Sequence, residues 1–128
     1  MNDSDNFYFD AIAQIKMDSW TKGRVALLGD AGYCASPLSG MGINLAIVGA
    51  YILAGELKSA EGDYSVAFNR YNELMRPFVD ANQALAPWLG ERFLTEGEVS
   101  KEIIEQRSSE IMKKIKVAAN AISLPDYV

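Results

Sequence analysis

The sequence contains no histidine, and Cys34 is its only cysteine. Ser-His-Asp and Cys-His catalysis, histidine-ligated zinc and any disulfide within these residues are excluded, and the lone thiol fits a reducing compartment. Basic residues are also in deficit. Twelve Lys and Arg face 17 Asp and Glu, a formal charge of −5, which is the wrong sign for a sequence-independent grip on a phosphate backbone. Nucleic acid is therefore not an expected partner. Long apolar runs are missing as well: the longest, 43–57, is interrupted by Asn44, Gly49 and Gly55 and falls short of the ~20 residues a bilayer span requires. The start, Met1-Asn2-Asp3-Ser4-Asp5-Asn6, is acidic and polar where a secretory signal carries a basic start and an apolar core. No membrane association and a cytoplasmic location are expected. What remains, 128 residues with 49% apolar and 23% charged side chains, has the composition of one soluble globular unit or part of one.

Local patterns outline the elements. Residues 7–14 predict a short helix with Phe9, Ile12 and Ala13 on one side, and residues 15–20 alternate Ile15 and Met17 against Lys16 and Asp18 in the manner of a strand. Thr21-Lys22-Gly23 reads as a turn, and the apolar run Val25-Ala26-Leu27-Leu28 predicts a strand buried on both faces in a parallel sheet. Glycines, serines and Pro37 between Ala31 and Gly42 predict a loop. Residues 43–58 carry no charge before Glu56 and predict a helix apolar on nearly every side, buried in a body larger than itself. Asp63 is suited to cap a helix beginning at Tyr64, whose stripe is Tyr64, Ala67, Phe68, Tyr71, Leu74, Met75 and Phe78. Pro77 should kink or break that helix, and Pro87, Gly90 and Gly97 should mark further breaks. A final amphipathic helix is predicted over 99–122, with Ile104, Ile111, Ile115, Ala118 and Ile122 on its apolar face. No internal repeat is present.

Chemistry concentrates between Gly29 and Asn44. There a strand delivers Asp30 at its carboxyl end, the edge at which open α/β sheets bind ligands. Gly40 and Gly42 then let the backbone approach a flat or anionic ligand, and the N–H groups of Met41 to Asn44 make an anion site at a helix start. Asp30 would accept from a sugar or polyol hydroxyl. Singly, each feature has a plainer explanation: Gly-Asp closes many turns, and Pro37 with Gly40 and Gly42 is ordinary loop punctuation. Cys34 reads as an inert small residue. Tyr64, Phe68, Tyr71 and Phe78 read as core, Glu73 and Arg76 as a solvated or locally paired helix face, and Trp20 and Trp88 carry no assigned role.

Together, Gly29-Asp30, Pro37, Gly40, Gly42 and Asn44 stand at the spacing of a known pattern. They resemble the second flavin-binding motif of FAD-dependent monooxygenases of the aromatic hydroxylase type. The likeness continues through Ala46, Ala50, Leu53 and Ala54 to Tyr71, Arg76-Pro77 and Gln83, over roughly residues 7–90. It implies that the aspartate matching Asp30 holds the ribityl chain and that the proline matching Pro37 lies beside the isoalloxazine ring. The amides matching Gly42, Ile43 and Asn44 would face the N1–C2=O2 edge, where reduced flavin carries negative charge. The implied cofactor-binding set is Gly29, Asp30, Pro37, Gly40, Met41, Gly42, Ile43 and Asn44, with no catalytic side chain and no metal ligand. The resemblance further implies hydroxylation of a small aromatic substrate with NAD(P)H and O2, the hard chemistry being the cofactor's.

The sequence departs from that pattern in several places. Tyr33 stands where the family usually has histidine, Gly32 replaces an alanine, and Gly49 stands where aspartate is common. The Gly-x-Gly-x-x-Gly that opens the family and grips the ADP pyrophosphate is absent, as is the substrate-covering sheet. The run Gly40-Met41-Gly42-Ile43-Asn44-Leu45 lacks a third glycine and follows a loop.

The expected fold is α/β-derived but mostly α: the C-terminal part of an FAD-binding Rossmann-like domain, with one or two strands followed by a helical bundle. Residues 1–60 would form the partial FAD-binding domain, and 61–128 the C-terminal helical region of the same unit. The expected function is FAD binding within a flavin-dependent monooxygenase, a truncated portion that would not turn over alone because the half holding ADP, NAD(P)H and substrate lies elsewhere. The alternative is a non-catalytic helical module that retains a relic motif and pairs with a partner or, as a homodimer, with itself.

Overall fold

A computed structural model describes residues 11–93 and 101–128. Its axis is the helix α2, Gly42–Ser59. The connection 60–63 folds a second long helix, α3, Tyr64–Gln83, back along it. Asp63 starts α3 as its spacing predicts: the carboxylate accepts from the amides of Ser65 at 2.9 Å and Val66 at 3.4 Å, and from the Ser65 hydroxyl at 2.6 Å. These bonds satisfy donors that no helical carbonyl reaches.

Leu45 and Ile52 of α2 meet Tyr71, Met75, Phe78 and Val79 of α3 in the core, with Trp20 and Tyr33 inserted from the preceding segment. The helix α4, Leu85–Phe93, and the helix α5, Lys101–Ala119, add Leu85, Leu89 and Ala118 to the same core. Ile111, Ile115 and Ile122 pack against it as their spacing predicts, whereas Ile104 is exposed. The last helix ends at Ala119, short of the predicted 122, and residues 99 and 100 lie outside the described residues.

The apolar run after Gly23 does not enter a parallel sheet. Val25–Ala26 (β2) pairs antiparallel with Thr21–Lys22 (β1), Thr21 opposite Ala26 and Lys22 opposite Val25. A strand needs partners for its N–H and C=O groups, and among the described residues the chain supplies one only by turning back on itself. Val25 is left 62% exposed. Residues 11–14 are not helical, with 7–10 outside the described residues, and 15–20 form no strand. The latter segment is instead tied down singly: the Ile15 amide donates to the Cys34 carbonyl at 3.0 Å, and the Trp20 amide to Asn72 Oδ1 at 3.0 Å.

Pro77 does not end α3, which continues to Gln83. The carbonyl it deprives of a donor is that of Glu73, an exposed residue, where solvent can take the place of the lost donor. Pro87 and Gly90 likewise fall inside α4, Pro87 in a first turn whose amides have no helical partner anyway. Gly97 lies outside the described residues.

Trp20 is fully buried between Tyr33 at 4.9 Å and Tyr71 at 6.1 Å, both edge-on. Arg76, read from sequence as part of a solvated or locally paired helix face, is paired locally, its Nη1 3.9 Å from Asp80 Oδ1, but it also lies over the Trp20 ring at 3.9 Å and donates to the Met17 and Asp18 carbonyls at 3.0 and 2.8 Å.

The helix α2 is not buried all round. Leu45, Gly49, Ile52, Gly55 and Glu56 face inward, while Ile43 and Ile47 are 77% and 64% exposed. Its C-terminal end is covered by the chain's own tail. The Tyr127 ring fills the place a Cβ on Gly55 would take, and the Tyr51 hydroxyl donates to the Pro125 carbonyl at 2.9 Å. The buried Glu56 carboxylate has a partner on each oxygen, Tyr127 Oη at 2.6 Å and Arg70 Nε at 2.8 Å, the condition under which a charge can be buried at all.

The Asp63 bonds give a test. They hold its carboxyl below the usual value of 3.8, the Ser65 hydroxyl bond first and the two amide bonds after it. A lowered folded-state value contributes stability that is present above the unfolded value and lost as pH falls through the folded one. Asp63→Ala is therefore expected to lower the melting temperature at pH 7, with the gap to the parent closing as pH falls below about 4; melting curves from pH 7 to 2 measure this, and a constant gap would contradict it.

Candidate functional site

The segment 29–44 folds as two tight turns seated on the start of α2. Gly29 has φ 64° and ψ −139°, a region closed to side-chain-bearing residues, and a Cβ there would meet Ala46 Cβ at 3.3 Å. Its carbonyl accepts from the amides of Gly32 at 3.0 Å and Tyr33 at 2.9 Å, closing the one-turn helix α1, Asp30–Tyr33. Asp30 is thus the first residue of a helical turn rather than the end of a strand. Its side chain is exposed, and a Cβ on Gly42 would stand 3.7 Å from Asp30 Oδ1.

The second turn is a short 3-10 segment, Pro37–Ser39. It is entered through Ser36 at φ 72° and ψ 142°, an unfavourable backbone for serine that persists because its surroundings enforce it. The Ser36 Oγ accepts from the Leu38 amide at 3.3 Å, and the Ser39 hydroxyl donates to the Ser36 carbonyl at 2.9 Å. Two glutamines hold the approach. Gln14 Nε2 donates to the Ala35 carbonyl at 3.2 Å, and Gln83 Nε2 to the Cys34 carbonyl at 3.2 Å and the Ile15 carbonyl at 2.6 Å. Gly40 leaves the turn in the left-handed conformation, φ 65°.

The start of α2 differs from that of α3. Met41, at its N-cap, offers no side-chain acceptor, and no acidic residue lies in its first turn. The Met41 amide is itself engaged, donating to Ser39 Oγ at 3.2 Å, and its side chain is buried in the core. The anion site expected over Met41 to Asn44 therefore narrows to the amides of Gly42, Ile43 and Asn44, which no described side chain caps.

Of the eight residues singled out from sequence, the structure brings Gly29, Asp30, Gly40, Gly42 and Ile43 together around an open cleft of about 580 Å³, with Leu28 and Ala46 completing its lining. Pro37, Met41 and Asn44 do not line it. Leu28 and Ala46 were read in sequence only as apolar residues of a strand and a helix, Ser39 acts through local bonds to Ser36 and Met41, and the two glutamines act through tertiary contacts. Among the described residues no cluster of His, Cys, Asp and Glu could hold a metal ion, and no helix is long and apolar enough to cross a membrane.

A glycine-built turn, an exposed carboxylate and an uncapped helix start thus stand around one cleft. The profile of the FAD binding domain family matches residues 6–82, and the chain belongs to that family, whose cofactor is FAD. It is 65% identical over 127 residues to a flavin-dependent monooxygenase from Legionella longbeachae serogroup 1 (strain NSW150) and 66% identical over 128 residues to another from an unknown prokaryotic organism. Each alignment covers 99% of this chain and 33% of the relative, so the chain spans about a third of their length and corresponds to their C-terminal portion. Among solved structures, the tetracycline destructase Tet(55) superposes with a TM-score of 0.90 at 57% identity, and the tetracycline destructase Tet(51) with 0.83 at 61%. These alignments take in 98% and 99% of this chain and 33% of each of those proteins.

Gly29 is the position on which the first turn depends. Gly29→Ala is expected to destabilise the chain by about 1–3 kcal/mol through its backbone conformation, with the Ala46 contact adding to the loss. Urea unfolding checks it; an unchanged midpoint would mean that the turn is not held in this shape.

Proposed function

We propose that this chain holds the isoalloxazine end of FAD within a flavin-dependent monooxygenase. In this reading residues 1–60 are the flavin-contacting part and 61–128 are the helical region of the same unit that braces it. Asp30 accepts from a ribityl hydroxyl, Gly29, Gly40 and Gly42 let the backbone approach, Pro37 lies beside the ring, and the amides of Gly42, Ile43 and Asn44 face the ring's N1–C2=O2 edge. The Met41 part is structural, its side chain anchoring the start of α2 in the core.

The observation that carries this reading is the juxtaposition of the Asp30 carboxylate with the uncapped start of α2 across one open cleft. The residues suit the group. A side chain on Gly42 would fill the space beside Asp30, and a polyol needs an acceptor where an electron-rich ring edge needs donors. The helix start offers its amides already oriented, so developing negative charge on that edge would be met without reorganisation. FAD, when bound, supplies the redox and oxygen chemistry, with NAD(P)H as reductant and a small aromatic compound as the substrate to be hydroxylated.

The exposed apolar face of α2, with Ile43 and Ile47, supports the same reading, because such a face is normally covered. The remaining two-thirds of a monooxygenase polypeptide would cover it and bring the ADP, NAD(P)H and substrate sites.

The test joins these 128 residues to the remaining two-thirds of the Legionella longbeachae relative, in place of its own matching third. The hybrid is expected to bind FAD, read by absorbance and by quenching of flavin fluorescence, and Asp30→Ala to weaken that binding roughly tenfold or more. A hybrid that folds without taking up FAD, or an Asp30→Ala variant with unchanged affinity, would overturn the proposal in favour of a helical pairing module with a relic motif.

A further inference from the structure

We infer that Tyr33 is a positioning residue that sets the pose of Asp30 at the flavin site, and that Gly49 is the notch in α2 that admits it. The inference rests on the reading of the cleft just given. It starts from α1 itself. That turn is four residues long and has no side-chain cap, too little to hold a conformation alone. Asp30 opens it and Tyr33 closes it, so whatever fixes the Tyr33 side chain fixes the direction in which Asp30 points.

Tyr33 is fixed on three sides. Its ring meets the Trp20 ring edge-on at 4.9 Å. Its hydroxyl lies 3.0 Å from the Tyr71 hydroxyl, which is 2.9 Å from the Leu27 carbonyl. The Tyr71 hydroxyl is the donor in this chain, to Tyr33 Oη on one side and to the Leu27 carbonyl at its end on the other. The carbonyl at its end belongs to the segment that leads into Gly29 and Asp30. Burial, and then the bond to Tyr33, push the Tyr71 phenol far above its usual value, so the Tyr71 hydroxyl remains a protonated donor at physiological pH.

The third side is α2. The Tyr33 hydroxyl occupies the space that a Cβ on Gly49 would take, and Leu28 Cδ1 would stand 3.1 Å from the same Cβ. No residue but glycine coexists at position 49 with Tyr33 as placed. Positions 33 and 49 are also two of the places at which this sequence departs from the flavin motif it resembles. The structure puts them in contact, so the two departures are one exchange: a large neutral phenol on one side and an absent side chain on the other.

Double-substitution cycles in the hybrid polypeptide test this. Tyr33→Phe removes the hydroxyl and keeps the ring, and is expected to weaken FAD binding roughly threefold to tenfold, the range of one neutral hydrogen bond. In an Asp30→Ala background the same substitution is expected to change FAD affinity by less than about twofold, because its effect passes through Asp30. Gly49→Ala is expected to weaken binding more than Tyr33→Phe does, and Tyr33→His, whose smaller ring vacates the notch, to restore it. Equal effects of Tyr33→Phe with and without Asp30, or a Gly49→Ala defect that Tyr33→His leaves unrelieved, would overturn the inference while leaving the flavin site standing. If Asp30→Ala itself leaves FAD affinity unchanged, the flavin reading falls and this inference with it. Should Gly49→Ala fail to fold, the Tyr33 and Asp30 cycle alone decides.

Discussion

The close seating of the 29–33 turn on α2 is the contact from which the rest of the molecule follows. Gly29 rests on Ala46, and the Tyr33 hydroxyl rests on Gly49 one helical turn further along. Both contacts require the absence of a side chain, on the turn in one case and on the helix in the other. With the turn so placed, Tyr33 reaches the centre of the core, where Trp20 and Tyr71 meet it. Arg76 then covers Trp20 from the α3 side and takes up the carbonyls of Met17 and Asp18. Moving the turn outward by one methyl group would separate the aromatic cluster, the hydroxyl chain and the Arg76 clasp at once, since close-packed interiors have no slack to absorb it.

The same seating explains why the two ends of α2 differ. At the C-terminal end the tail lies across Gly55, and Glu56 is enclosed by Tyr127 and Arg70. At the N-terminal end the turns approach but stop short, leaving amides, a carboxylate and an open cleft. One end is closed by the chain itself and the other is open. The chain belongs to the FAD binding domain family and spans about a third of its monooxygenase relatives, and the flavin reading proposed above rests on that opening.

Much of this was legible in the residues because it depends on local chemistry. Asp63 needs only the two following amides to cap α3, and the three- and four-residue spacing from Ala67 to Phe78 needs only a helix. The glycine and aspartate spacing from Gly29 to Asn44 was legible for a different reason, since it resembles a pattern whose chemistry is known. The strand at 25–28 was misread, α3 runs on through Pro77, and the ring and carbonyl contacts of Arg76 were not legible, each because a distant partner or the exposure of a carbonyl decided the outcome. Val25 and Ala26 pair with the segment just before them for want of another strand. Pro77 costs little where the orphaned carbonyl belongs to an exposed residue, and Arg76 finds its ring and its two carbonyls nearly sixty residues away in sequence.

The sequence by itself determined the long helices α2, α3 and α5, the Asp63 cap, the exclusion of imidazole and disulfide chemistry, and the order of glycines and aspartate between Gly29 and Asn44. These rest on propensity, composition and spacing, which act within a few residues. Only the tertiary structure decided which face of α2 is buried, that Met41 serves the core while Gly42, Ile43 and Asn44 keep their amides uncapped, and that Tyr33 and Gly49 touch. Those facts concern which surfaces meet and how much room is left between them, and steric fit between segments far apart in the chain exists only once the chain has folded.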